Sequence, residues 1–222
     1  MTETVITVQG EYSAWYPAER ATVSVAIGFD GPEREPVFVA ARDAAESLRA
    51  SIEELHDSAA GPVTWWSSDR VRVWSDRPWS QDGAQLPVVY HASIGFEVKF
   101  SDFAALNDWV ESVALREGAS VTSIAWNLTE ATRTAVTAEV RSRSVKDAVT
   151  KATVFAQSIG LGSVTAIALA DPGMLGEHAS GGGEPSMRAM KAFGVGSAGG
   201  GLELKPEEIE VSSVVDARFH AR

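Results

Sequence analysis

The stretch from Val145 to Gly162, VKDAVTKATVFAQSIGLG, constrains the fold of this chain more than any other. Its apolar residues Val145, Ala148, Val149, Ala152, Phe155, Ala156 and Ile159 recur at helical spacing, which predicts one buried face of an α-helix. Gly160 supplies the left-handed residue that ends such a helix, and Leu161 can fold back onto the last turn. A helix of this length needs a sheet or other helices to cover its stripe. The rest of the chain supplies strands.

Thr4 to Tyr16 and Ala21 to Phe29 are rich in β-branched and aromatic residues and read as two strands. Pro36 suits the first turn of a helix carrying Val37, Ala41, Ala44, Ala45, Leu48, Ile52 and Leu55. Strands follow at about Val63 to Trp74 and Val88 to Phe100, joined by the polar segment SDRPWSQDGAQLP. Asp102 is placed to cap a second helix with Phe103, Leu106, Trp109, Val110 and Val113, closed near Gly118. Val121 to Leu128, Ser163 to Ala170 and Glu208 to His220 read as strands, and the long helix starts near Thr132 or Ala135.

The order is therefore β-β-α-β-β-α-β-α-β-β, with three main helices. Strands in adjacent pairs separated by helices predict an α+β fold with antiparallel hairpins, not a doubly wound parallel sheet. We read residues 1–222 as a single domain, with a division into two subdomains left open. Between Asp171 and Leu204 lie more than half of the 19 glycines and three of the 4 methionines. That composition predicts a long flexible Gly-rich loop, 171–204.

Charge and composition exclude several function classes. A net charge of −11 and a pI near 4.8 repel phosphate backbones, so no nucleic-acid partner is expected. There is no cysteine, hence no disulfide, thiolate nucleophile or Cys-ligated zinc. The opening MTETVITVQGEY alternates like a strand and lacks the apolar centre of a signal peptide. No run approaches the roughly 20 apolar residues of a membrane span. A soluble, cytoplasmic protein is the expectation.

Chemistry-bearing motifs fare poorly. Gly194, Gly196 and Gly199 spell G-x-G-x-x-G, but Gly200, Gly201 and then Pro206 follow where the dinucleotide motif needs a helix. His56 sits among Glu53, Glu54 and Asp57 without metal-ligand spacing, and no H-E-x-x-H occurs. No G-x-S-x-G elbow or paired-carboxylate signature stands out. The reading is non-enzymatic, with no catalytic residues, no metal and no cofactor.

One local cluster is unusual. Trp65, Trp66, Trp74 and Trp79 are interleaved with Arg70, Arg72 and Arg77 in the hairpin 63–79. On a period-2 strand Arg70, Arg72 and Trp74 share one face. Such a face can bind a ring, a sugar or a base through cation–π and stacking contacts. A subunit contact or a sheet face covered by a helix explains the same residues more simply, because tryptophan and arginine are enriched at interfaces. Trp65, Trp66, Arg70, Arg72, Trp74 and Trp79 are thus the ligand or interface candidates.

Taken in order, several pieces resemble the SIMPL-domain family, which includes YggE-like and periplasmic immunogenic proteins of bacteria. Ile6-x-Val8-x-Gly10 followed by Ala21-x-Val23-x-Val25 is similar to the family's first hairpin. Tyr90-x-Ala92, Phe96, Val98, Asp102, Phe103 and Leu106 resemble its central strand and following helix, which Gly118, Val121 and Ile124 continue. Ala148-x-x-Lys151-Ala152-x-x-x-Ala156-x-x-x-Gly160-x-Gly162 is the strongest element, and Pro206, Ile209, Val211 and Phe219 resemble the closing strand. The resemblance implies an α+β fold, no established enzymatic activity, and homo-oligomeric assembly in some members. Roles in oxidative-stress defence have been proposed for relatives. Many relatives carry a signal peptide and none is expected here, and the tryptophan segment and glycine loop are expected to be particular to this member or its subgroup. The expected function is a non-catalytic, self-associating, stress-related scaffold of otherwise undefined role. The alternative is a small-ligand binding module using hairpin 63–79.

Overall fold

Alternation of apolar and polar residues sets the strands of this protein, and two stripes of period 3.6 plus one row of small residues set its helices. The computed structural model describes residues 4–79, 85–175 and 204–222. Its elements are β1 (Thr4–Pro17), β2 (Arg20–Gly31), α1 (Arg34–Leu55), β3 (Val63–Ser68), β4 (Arg72–Asp76), β5 (Val89–Phe100), α2 (Phe103–Ala114), β6 (Ala119–Asn127), α3 (Glu130–Ser158), β7 (Val164–Ala170) and β8 (Glu208–Ala221). The fold is α+β, and both sheets are antiparallel. Most of the Gly-rich segment 171–204 lies outside the described residues, as does part of the segment joining β4 to β5. Among the described residues, no helix is long and apolar enough to cross a membrane.

The elements fall into two units. The terminal unit takes β1, α3, β7 and β8. Its sheet has the order β1-β8-β7, with β8 central and Thr4 opposite Ala221 through Pro17 opposite Glu208. Ile6, Val8, Ala217, Phe219 and Ala221 bury one face of this sheet against α3, whose buried row is Ser144, Ala148, Ala152 and Ala156. Thr129 caps the helix start by accepting from the Thr132 amide. At its end Gly160 adopts a φ of 80°, Gly160 N donates to Gln157 O and Leu161 N donates to Ala156 O. This is the two-bond termination that glycine permits.

The long helix departs from expectation in one respect. Its apolar stripe predicts Val149, Phe155 and Ile159 at the buried face, yet they are 41%, 54% and 60% exposed. The reason is Gly10. A Cβ there would lie 2.7 Å from the Ala148 Cβ and inside the Ser144 carbonyl oxygen. The helix axis therefore approaches the sheet closely along its small residues. Larger side chains on the flanks are left standing clear of it.

The central unit takes the remaining seven elements. Its strands follow the order β3-β5-β2-β6, with β4 on the same edge of β5 as β3. Ala21, Val23, Val25 and Ile27 of β2 and Ile94, Phe96, Val98 and Phe100 of β5 point to one face. Leu48 and Ile52 of α1 and Leu106, Trp109, Val110 and Val113 of α2 cover that face. The Asp102 carboxylate caps α2, accepting from Ala104 N at 2.8 Å and Ala105 N at 3.2 Å. The strand expected over Val63 to Trp74 is interrupted at Asp69–Val71, and its two halves share β5 as partner.

Candidate functional site

The face of the central sheet away from α1 and α2 carries the candidate residues. On β5 the alternation that buries Ala92, Ile94, Phe96, Val98 and Phe100 turns His91, Ser93, Gly95, Glu97 and Lys99 the other way. Register then decides who meets whom. Trp65 lies opposite Lys99, Ser67 opposite Glu97, Arg72 opposite Ser93, and Trp74 opposite His91.

These cross-strand pairs interact. The Lys99 ammonium stands 5.5 Å from the centre of the Trp65 ring. The Trp74 and His91 rings stack at 5.2 Å with planes 19° apart, and the Arg72 guanidinium carbon is 5.7 Å from the Trp74 ring centre. His91 Nε2 reaches Asp76 Oδ1 at 3.3 Å. At the strand break, Asp69 N donates to Gly95 O at 2.8 Å, and the Asp69 carboxylate occupies the space a side chain at Gly95 would need. Each exposed cation–π pair contributes about 0.5–1 kcal/mol.

Three of the six candidates therefore share this face: Trp65, Arg72 and Trp74. Trp66 faces the helices and packs against the core. Arg70 lies in the strand break, and Trp79 follows β4, 80% exposed. The shared residues are not gathered into one cavity. Lys99 and His91 are eight residues apart on one strand, so their tryptophan partners stand roughly 27 Å apart at about 3.4 Å per residue. The arrangement is a flat ladder with an aromatic–cation pair towards each end. A shallow cleft of about 360 Å³ lies elsewhere, between Phe29–Glu33 and Pro36–Ala40, with Asp30 and Glu33 on its wall. Among the described residues, no three histidine, aspartate or glutamate side chains converge as metal ligands would.

Sequence reasoning missed His91, Lys99 and Asp76, which belong to the ladder only through register. It also missed a charged cluster on α3. Asp147 Oδ2 accepts from the Glu11 amide of β1 at 2.9 Å and pairs with Lys151 Nζ at 2.8 Å. Lys151 also donates to the Gln9 carbonyl at 3.1 Å and lies 3.7 Å from the Glu11 carboxylate. The Lys151 hydrogen bond, helped by the Glu11 amide, holds the Asp147 carboxyl below the usual aspartate range. The same bond raises Lys151. A Lys and Asp one helical turn apart was visible in the sequence; the strand edge they grip was not.

Two antiparallel sheets, one covered on a face by α3 and the other by α1 and α2, and an aromatic–cation ladder with no converging metal-ligand set among the described residues define a class of α+β protein with extended surfaces. The sequence pattern of SIMPL (DUF541), described as a protein of unknown function, matches residues 6–219 of this chain. The chain belongs to the SIMPL family. No curated protein matches it.

Proposed function

We propose that this chain is a non-catalytic, self-associating scaffold. The observation that carries the reading is the set of large apolar side chains its own folding leaves uncovered. In the terminal unit Phe155, Ile159, Ile167 and Leu169 are 54%, 60%, 44% and 51% exposed. In the central unit Trp65, Trp74 and Trp79 are 44%, 44% and 80% exposed. Single exposed apolar residues are ordinary, but recurrence on strands, on a helix flank and in an aromatic hairpin is the composition of interface centres. A stress-related role in the cytoplasm is the biological setting we propose for this assembly, resting on family resemblance alone. Sedimentation velocity tests the reading: concentration-dependent association is expected, and a strict monomer up to several hundred micromolar contradicts it.

A second reading has one observation in its favour. Arg72, Trp74 and His91 already form a stack on an uncovered face, and a planar ring or sugar could extend it. Thermal-shift screening with nucleosides, sugars and lipids would then give a hit that Trp74→Ala abolishes. A hit that survives the substitution, or no hit at all, removes this reading and leaves the first intact.

A further inference from the structure

Sheet edges expose rows of backbone donors and acceptors, and natural proteins blunt them with charges, bulges or covering elements. The four edges here are treated unequally. On β1 the guard is supplied by α3, because Asp147 takes the Glu11 amide and Lys151 takes the Gln9 carbonyl. A strand approaching that edge would have to displace an ion pair. The β3–β4 edge is broken at Asp69–Val71 and carries Arg72 and Asp76. The β6 edge is uncharged, but Val121, Ile124 and Trp126 pack against their own core. Its Ser120 and Thr122 hydroxyls donate back to the Ala26 and Ser24 carbonyls.

The fourth edge is different. β7 reads VTAIALA over Val164–Ala170, with no ionisable residue, no proline and no glycine. None of its residues is buried, and Ile167 and Leu169 stand out at 44% and 51% exposure. β8 holds its inner edge, and among the described residues no strand pairs with the outer one. The register to β8 shifts between Ala166 and Ala168, a bulge at Ile167. Bulges also blunt edges, yet this one exposes an isoleucine where a guarded edge would carry a charge. Short, uncharged, β-prone segments of this kind are those that pair with copies of themselves.

We propose that β7 is the strand through which two copies of this chain join, edge to edge and antiparallel, merging two three-stranded sheets into one of six. The inference rests on the self-association reading and names its surface. Given self-association, charge selects the surface. A chain of net charge −11 repels its own copies over most of its surface. A twofold axis near Ile167 brings β7 against β7, and no acidic group of the strand meets another. The contact is self-complementary, as a closed dimer requires. Two strands of seven residues make a small interface, so the dimer is weak and forms in the micromolar range.

The test measures dimerisation of the full chain by sedimentation velocity for wild type, Ile167→Lys and Leu115→Lys, the last at a 90% exposed position of the central unit. Ile167 is 44% exposed, so the lysine variant is expected to keep the wild-type circular dichroism and Tm. Like charges meeting across a symmetric pair oppose association, so Ile167→Lys, which sets two lysines opposite each other at the axis, is expected to raise the dimer Kd about a hundredfold or more, while Leu115→Lys leaves it near wild type. Because the chain has no cysteine, Ile167→Cys gives a readout independent of the lysine variant. Mild oxidation should yield a covalent dimer, and Leu115→Cys at the same concentration should not. If wild type dimerises but Ile167→Lys dimerises equally and Ile167→Cys fails to cross-link, β7 is the wrong surface and self-association stands. If wild type stays monomeric to several hundred micromolar, both readings fall together.

Discussion

Gly10 decides how α3 meets its sheet. Any side chain there collides with the backbone of Ser144 and with Ala148. Gly10→Ala is expected to destabilise the protein by about 1–3 kcal/mol, the usual cost of overpacking, measured by urea unfolding. An unchanged midpoint would show that the helix can lift without loss. Ala152 lies fully buried in the same seam. Ala152→Glu puts an unpaired charge there, and a loss of about 3–5 kcal/mol is expected. A wild-type Tm for this variant would mean that α3 presents another face to the sheet. Ala152 and Ala156 were legible as core from spacing alone. The exposure of Phe155 and Ile159 was not, since hydrophobic period reports which side of a helix is apolar and not how near its partner stands.

Among elements, α3 does two things: it covers the sheet face with alanines and clamps the β1 edge with Asp147 and Lys151. The clamp makes a pH prediction. Asp147 is lowered in the fold, chiefly by the Lys151 hydrogen bond and then by the Glu11 amide. Its contribution is therefore complete above the ordinary aspartate pKa and is lost as pH falls through the depressed folded value. Lys151 is raised, so its share persists through neutral pH and disappears only in strong alkali. Wild type should exceed Asp147→Asn in unfolding free energy at neutral pH, and the gap should close on acidification below the ordinary carboxylate range. A gap that is the same at every pH would assign Asp147 a packing role only. The elements themselves were well marked in sequence: Asp102 before α2, Gly160 after α3, and alternation along β1, β2 and β5. The split of β3 from β4 was hidden, because Ser68, Arg70 and Arg72 fit the polar face of one continuous strand as well as a break. What identifies it is the bond from Asp69 to Gly95 on β5, a partner sequence alone does not name.

At the scale of the whole molecule, the candidate site was only half readable. The tryptophans and arginines were conspicuous, and their alternation put Arg72 and Trp74 together. Register added His91, Lys99 and Asp76, and separated Trp65 from Trp74 by most of a strand's length. A ladder spread this way suits a surface better than a pocket. The edges of the two sheets were not readable at all, because strand order follows from pairing between segments remote in the chain: β8 from one terminus inserts between β1 and β7. Once that order is known, the contrast between a clamped β1 and a bare β7 follows from residue types.

The measurement that bears most directly on this account is sedimentation velocity of the full chain from low micromolar to several hundred micromolar at neutral pH. The account predicts a sedimentation coefficient that climbs with concentration towards that of a larger, defined species. A single monomer boundary across the whole range would contradict it.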